Sequence, residues 1–125
     1  MIERIDHFVL TVQSIAESCA FYERVLRFRP QLREDKPASL SFGQHKINLH
    51  EVGRTFEPKA RHATPGAADF CLVTQIPIEA FAAHLVQCGV SIETGPIARS
   101  GATGQMTSVY FRDPDGNLVE VSRYH

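Results

Sequence analysis

One pattern occurs twice in this chain and constrains its fold more than any single motif: a strand-like run, an amphipathic helix, then further strand-like runs. Each copy must bury the apolar face of its helix against strands, so a repeated unit decides the architecture. In the first copy, residues 5–12 (IDHFVLTV) alternate and are rich in β-branched side chains, the signature of a strand. Ser14 and Glu17 fit a capping box, in which the hydroxyl and the carboxylate satisfy free backbone N–H groups reciprocally. Ile15, Cys19, Tyr22 and Leu26 then step by four, three and four, which puts them on one helical face that Phe21 and Val25 widen. Short strands are expected near 31–34, 39–43 and 46–52. The polar segment Gly53–Gly66, with two prolines, is a connection.

The second copy opens with a strand over 67–74. Pro77 suits a first helical turn, where its missing N–H costs nothing. Ile78, Phe81, Leu85 and Cys88 repeat the helical spacing, and Gly89 suits a left-handed stop. Strands near 90–94 and 106–112 follow, then the turn Asp113–Gly116 and a closing strand, NLVEVSRY. The order βαβββ, twice, predicts an α+β fold: a single domain, 1–125, of two modules, 1–60 and 61–125. Residues 95–104 are glycine-rich and lie between strands, so they form either a mobile lid, with Arg99 on an anionic group, or a long hairpin. Lys59, Arg61 and His62 make the connection locally basic; they either hold a substrate carboxylate or are solvated surface charge.

Side chains alternate across a strand, so each predicted strand has an apolar face for the helices and a second face. On the second faces lie His7, Val9 and Thr11; Lys46, Asn48 and His50; Asp69, Cys71 and Val73; and Leu118, Glu120 and Ser122. Overlaying the copies pairs His7 with Asp69 and Asn48 with Glu120. If the modules pack about a pseudo-two-fold axis, these four converge, with His50 two residues from Asn48. Carboxylates and imidazoles around one point call for a cation, and hard nitrogen and oxygen donors suit a divalent metal with water in its remaining positions. The alternative is that this face simply meets solvent.

Charge and composition exclude other classes. Thirteen basic against fourteen acidic residues give a formal net charge of −1 and no global basic field for nucleic acid or an anionic membrane. No apolar run reaches membrane-spanning length, and the opening residues lack a secretory signal's apolar segment. Three cysteines, Cys19, Cys71 and Cys88, with no close pair, read as reduced, buried thiols in a cytoplasmic protein.

The stretches IDHFVLTV, FYERVLRF and FRDPDGNLVEVSRY resemble the vicinal oxygen chelate superfamily, the glyoxalase/bleomycin-resistance/dioxygenase group. KINLHEV with FEPKA after it is similar to the lactoylglutathione-lyase-like glyoxalase-domain-containing proteins in particular. The resemblance covers nearly the whole chain. It implies paired βαβββ modules forming an open, cup-shaped mixed β-sheet around a metal, and homodimers with modules side by side or swapped. It places ligands at His7, Asp69 and Glu120, with Asn48 or His50 as a fourth. Asp69 stands where many members have histidine, and Asn48 where glyoxalase I enzymes have Glu or Gln. Leu26-Arg27-Phe28 replaces the usual Leu-Gly-Phe, so Arg27 must adopt a costly left-handed backbone or reshape the corner.

The resemblance further implies metal-assisted chemistry, with nickel, cobalt, manganese, zinc or iron, on a small substrate bearing two neighbouring oxygens. In a glyoxalase reaction that substrate is the methylglyoxal–glutathione thiohemiacetal, isomerised through an enediolate, with Glu120 as both ligand and proton-transfer base. The substrate's anionic groups would meet Arg99, Lys59 and Arg61. Three other readings stay open: a ferrous dioxygenase, a thiol transferase, and a metal-free drug-binding resistance protein.

Overall fold

Both copies of the pattern build the same sheet. The computed structural model describes residues 1–125 and divides into two compact units, Met1–Ala67 and Ala68–His125.

The first unit holds β1 (His7–Val12), α1 (Ile15–Leu26), β2 (Arg29–Gln31), β3 (Ala38–Phe42) and β4 (His45–Glu51). Its four-stranded sheet has the order β1-β4-β3-β2, with β1 and β4 parallel and the other pairs antiparallel. The helix α1 starts where the sequence signals it. Ser14 Oγ accepts from the Glu17 N–H at 3.1 Å, and Glu51 Oε1 accepts from the Ile15 N–H at 3.0 Å, so the end of β4 also caps the helix. The helix stops at Arg27, which adopts φ 61° and ψ 27°, the left-handed conformation that its non-glycine side chain makes costly. The Arg27 and Phe28 N–H groups then donate to the carbonyls of Glu23 and Tyr22. Cys19, Tyr22 and Val25 are buried on the helix; Leu10, Val12, Leu40, Ile47 and Leu49 are buried on the strands. Tyr22, Phe28 and Phe42 stack in sequence, with the last two centroids 4.1 Å apart. The strand β2 lies slightly earlier than its expected 31–34 and contains Pro30, tolerated because β2 is an edge strand.

The second unit holds β5 (Asp69–Val73), α2 (Ile78–Gln87), β6 (Thr94–Gly101), β7 (Gly104–Arg112) and β8 (Leu118–Tyr124), with the sheet order β5-β8-β7-β6. Here β5 and β8 are parallel and the rest antiparallel. Ile78, Phe81 and Leu85 are buried on the helix, and Val109, Phe111, Val119 and Val121 are buried on the strands. The Asp113–Gly116 turn is held from within: Asp113 Oδ1 accepts from the Asp115 and Asn117 N–H groups, and Asn117 Oδ1 accepts from the Ala68 N–H.

Of the two readings of residues 95–104, the structure has the long hairpin, and the strand expected near 90–94 lies later, at Thr94–Gly101. Residues 95–104 are not a loop; most of them form β6, paired with β7 from Ile97↔Ser108 to Gly101↔Gly104, with only Ala102 and Thr103 between the strands. The irregularity between Thr94 and Ile97 absorbs Gly95 and Pro96, whose composition reads as a loop but here marks a bulge. Gly95 has φ 106°, and a Cβ there would collide with the Ser108 backbone and lie 3.0 Å from Val109 Cα. The two sheets are mixed and no closed barrel forms, in accord with the expected α+β class. No helix is long and apolar enough to cross a membrane.

Candidate functional site

In each unit, the sheet face turned from the buried apolar set carries the chemistry-bearing residues, because the parallel registers align them. In the first unit His7 pairs with Lys46, Val9 with Asn48 and Thr11 with His50, so all six side chains share one face. In the second unit Asp69 pairs with Leu118, Cys71 with Glu120 and Val73 with Ser122.

His7 opens β1 and its side chain is exposed. Its Nδ1 lies 2.8 Å from Asp6 Oδ2, and this contact holds the Asp6 carboxyl below its usual range. In the neutral tautomer that donates its Nδ1 proton to Asp6, Nε2 has a lone pair, the arrangement in which histidine ligates a metal. Asp6 was not singled out from the sequence; an acid directly before the candidate ligand was the available signal. Asn48 is half-buried at mid-β4. His50 is only 5% exposed, and its Nδ1 is buried with no hydrogen-bond partner. Its ring lies 5.6 Å from that of Phe56, in the connection that follows β4. Burial pushes the His50 pKa down, with nearby Lys59 adding to the effect. Lys59 itself donates to Thr55 Oγ1 at 2.8 Å and lies 3.6 Å from Glu57, so it is engaged within its own loop; Arg61 is exposed.

In the second unit Asp69 is exposed at the start of β5, and Glu120 is half-buried at mid-β8. Glu120 Oε2 accepts from Ser122 Oγ at 3.1 Å, and Tyr110 stands directly opposite Glu120 in the β7–β8 ladder. Arg99 is not on a lid. Fixed in β6, it donates from Nε to Tyr110 Oη at 3.0 Å, with its guanidinium carbon 5.5 Å from that ring's centroid. Ser122 Oγ is 2.6 Å from Ser108 Oγ and 3.2 Å from Cys71 Sγ, and both serines are fully buried. Neither serine was singled out from the sequence, although Ser122 follows Glu120 at the two-residue strand period. The expectation of three buried thiols holds only for Cys19: Cys88 is half-buried, and Cys71 is exposed because it stands on the face opposite α2. All three are free.

No group of three or more His, Cys, Asp or Glu side chains in this chain is gathered closely enough to hold a metal ion. The donor set is nevertheless of the right kind: a histidine with its Nδ1 engaged by a carboxylate, a carboxylate that accepts from a buried hydroxyl, and a buried imidazole nitrogen with no partner.

Residues 4–121 match the model of the Glyoxalase/Bleomycin resistance protein/Dioxygenase superfamily. The chain is 49% identical over 124 residues to virulence protein STM3117 of Salmonella typhimurium, covering 99% of this chain and 86% of that protein. The crystal structure of that protein superposes with a TM-score of 0.97 over 100% of this chain and 99% of the other. Glyoxalase domain-containing protein RDO1 of Mycosarcoma maydis is 40% identical over 98% of this chain and 69% of its own length. Metallothiol transferase FosB of Shouchella clausii is 26% identical over 97% of this chain and 80% of its own. A lactoylglutathione lyase from Agrobacterium tumefaciens shares the fold, with a TM-score of 0.76 at 22% identity over 98% of this chain and 94% of the other.

Proposed function

The chain belongs to the Glyoxalase/Bleomycin resistance protein/Dioxygenase superfamily, and from that premise we propose that it is a glyoxalase I-like lyase/isomerase with a divalent metal. Its substrate would be a small oxygen-chelating molecule such as the methylglyoxal–glutathione thiohemiacetal. The observation that carries this reading is the state of Glu120, a half-buried carboxylate that accepts from the buried Ser122 hydroxyl on the polar face of its sheet. His7, Asp69 and Glu120 would hold the metal, with Asn48 or His50 as a fourth ligand, in a homodimer. When bound, the metal would supply Lewis-acid polarisation of the substrate's two oxygens.

The chain's own residues do the remaining work. Asp6 holds His7 in the ligating tautomer. Glu120 retains acceptor capacity beyond the Ser122 hydroxyl and would move the substrate proton between neighbouring carbons. Lys59 and Arg61 are the cations proposed for a glutathione carboxylate; Arg99 would reach the substrate only with guanidinium nitrogens other than the one committed to Tyr110.

Protein purified without chelators should carry stoichiometric metal that is lost in Glu120→Gln. Methylglyoxal with glutathione should give the thioester absorbance with at least one of nickel, cobalt, manganese or zinc. Metal binding without thioester formation would favour thiol transfer at the same site, a reading supported by the similarity to FosB over 97% of this chain. Failure to retain metal would leave the metal-free binding protein.

A further inference from the structure

We propose that Arg29, Ser41 and Lys46, a row across the sheet of the first unit, form an oxyanion site that takes a carboxylate or phosphate group of the substrate. The site deepens the function proposed above, on which it rests only for assigning the anion to the substrate.

Strand register builds the row. Lys46 on β4 stands directly opposite Ser41 on β3, and Ser41 stands directly opposite Arg29 on β2. Residues directly opposite in a ladder present their side chains on the same face. On the other side Lys46 faces His7 of β1, so the row runs His7, Lys46, Ser41, Arg29 from one edge of the sheet to the other. It lies on the face turned from the core: Leu40 and Ile47, next to Ser41 and Lys46 in the chain, are both 0% exposed on the opposite face. Arg29 is exposed, and Ser41 and Lys46 are half-buried, so the row is open to a ligand.

Charge on this face is unbalanced. Opposite charges facing each other stabilise a ladder, but here both cations face a serine hydroxyl. None of the strand positions on this face holds Asp or Glu; those of β2 and β3 are Arg29, Gln31, Ser39 and Ser41. The chain's ion pairs join Arg4 and His7 to Asp6, Lys59 to Glu57 and Arg112 to Glu93, and include neither Arg29 nor Lys46. Asp6, which feels the Lys46 charge, is already engaged by His7 Nδ1 at 2.8 Å. Arginine and lysine have donors and no acceptor, and the Ser41 hydroxyl between them adds a further donor, a set that suits an oxyanion. Neighbouring strands lie about 4.8 Å apart, so Ser41 stands about 10 Å from His7 across the face. A substrate chelated beside His7 would carry its anionic group at about that distance from its chelating oxygens, which requires an elongated molecule.

Titration of the metal-free protein with sodium phosphate and, separately, with S-methylglutathione, followed by amide-detected NMR, tests the site. It needs neither metal nor turnover, so its outcome is independent of the thioester assay. Saturable shifts at the Arg29, Ser41 and Lys46 amides, beyond those in sodium chloride of equal ionic strength, are expected with at least one titrant. Shifts with phosphate alone would assign a phosphate-type group, and shifts with S-methylglutathione alone a carboxylate. Arg29→Gln and Lys46→Gln should each weaken binding about 5-fold, and added salt should weaken it in the wild type. Arg29 is exposed on an edge strand, so Arg29→Gln reads the site even if Lys46→Gln folds poorly. No shifts along the row with either titrant, or wild-type affinity in Arg29→Gln, would overturn the proposal.

Discussion

Replacing Arg27 with glycine should make the protein more stable. Arg27 ends α1 with φ 61°, the only non-glycine residue in the chain with positive φ. An L-residue in this conformation costs roughly 1–2 kcal/mol, which glycine does not incur. Two effects oppose the gain. Glycine frees the unfolded chain, which costs about 0.4–1 kcal/mol, and losing a cation near a helix C-terminus costs about 0.3 kcal/mol. The N–H of residue 27 still donates to the Glu23 carbonyl, at 3.0 Å, so no hydrogen bond is lost. The net is a stabilisation of about 0.5 kcal/mol, or a rise in Tm of about 2 °C for a domain of this size. Urea unfolding of wild type, Arg27→Gly and Arg27→Ala measures it, with the m-value checked for constancy. The alanine variant loses the same charge but keeps the strained backbone, so it should fall at or below the wild type. Arg27→Gly no more stable than Arg27→Ala would refute the reasoning.

Gly95→Ala should destabilise by at least about 2 kcal/mol in urea unfolding, because φ is 106° and the colliding atoms are backbone rather than a flexible side chain; a change under about 0.5 kcal/mol would show that the bulge yields. Glu93 meets Arg112 through two contacts of 2.9 Å, and this partner holds its pKa below the usual range. A depressed carboxyl contributes stability above its unfolded pKa and loses it as pH falls through the folded value. Thermal unfolding across pH should therefore show a shallower acid limb in Glu93→Gln than in wild type, and parallel curves would contradict this.

Much of the fold was legible because each unit reports itself locally. Ser14 accepts the helix N–H it was expected to cap, and the alternation in IDHFVLTV and NLVEVSRY put His7 and Glu120 on the faces where they stand. The missing glycine at Arg27 left two readings, a left-handed backbone or a reshaped corner, and the structure has the first. Other features were not legible for a common reason. Residues 95–101 have a loop's composition and became strand because β7 supplies a partner ladder, which local composition does not encode. The burial of His50 depends on Phe56 from the following connection.

The sequence by itself determined the βαβββ order of each unit and, outside β6, which side chains share a face, because helix and strand periodicity act over a few residues. Tertiary structure decided which of those side chains hydrogen-bond. Arg99 looked like a residue for an anion until the pairing of β6 with β7 brought its guanidinium to Tyr110. Ser108 and Ser122 looked ordinary until the pairing of β7 with β8 set them 2.6 Å apart beneath Glu120. Strand pairing joins residues distant in the chain, and such contacts form only once those neighbours are in place.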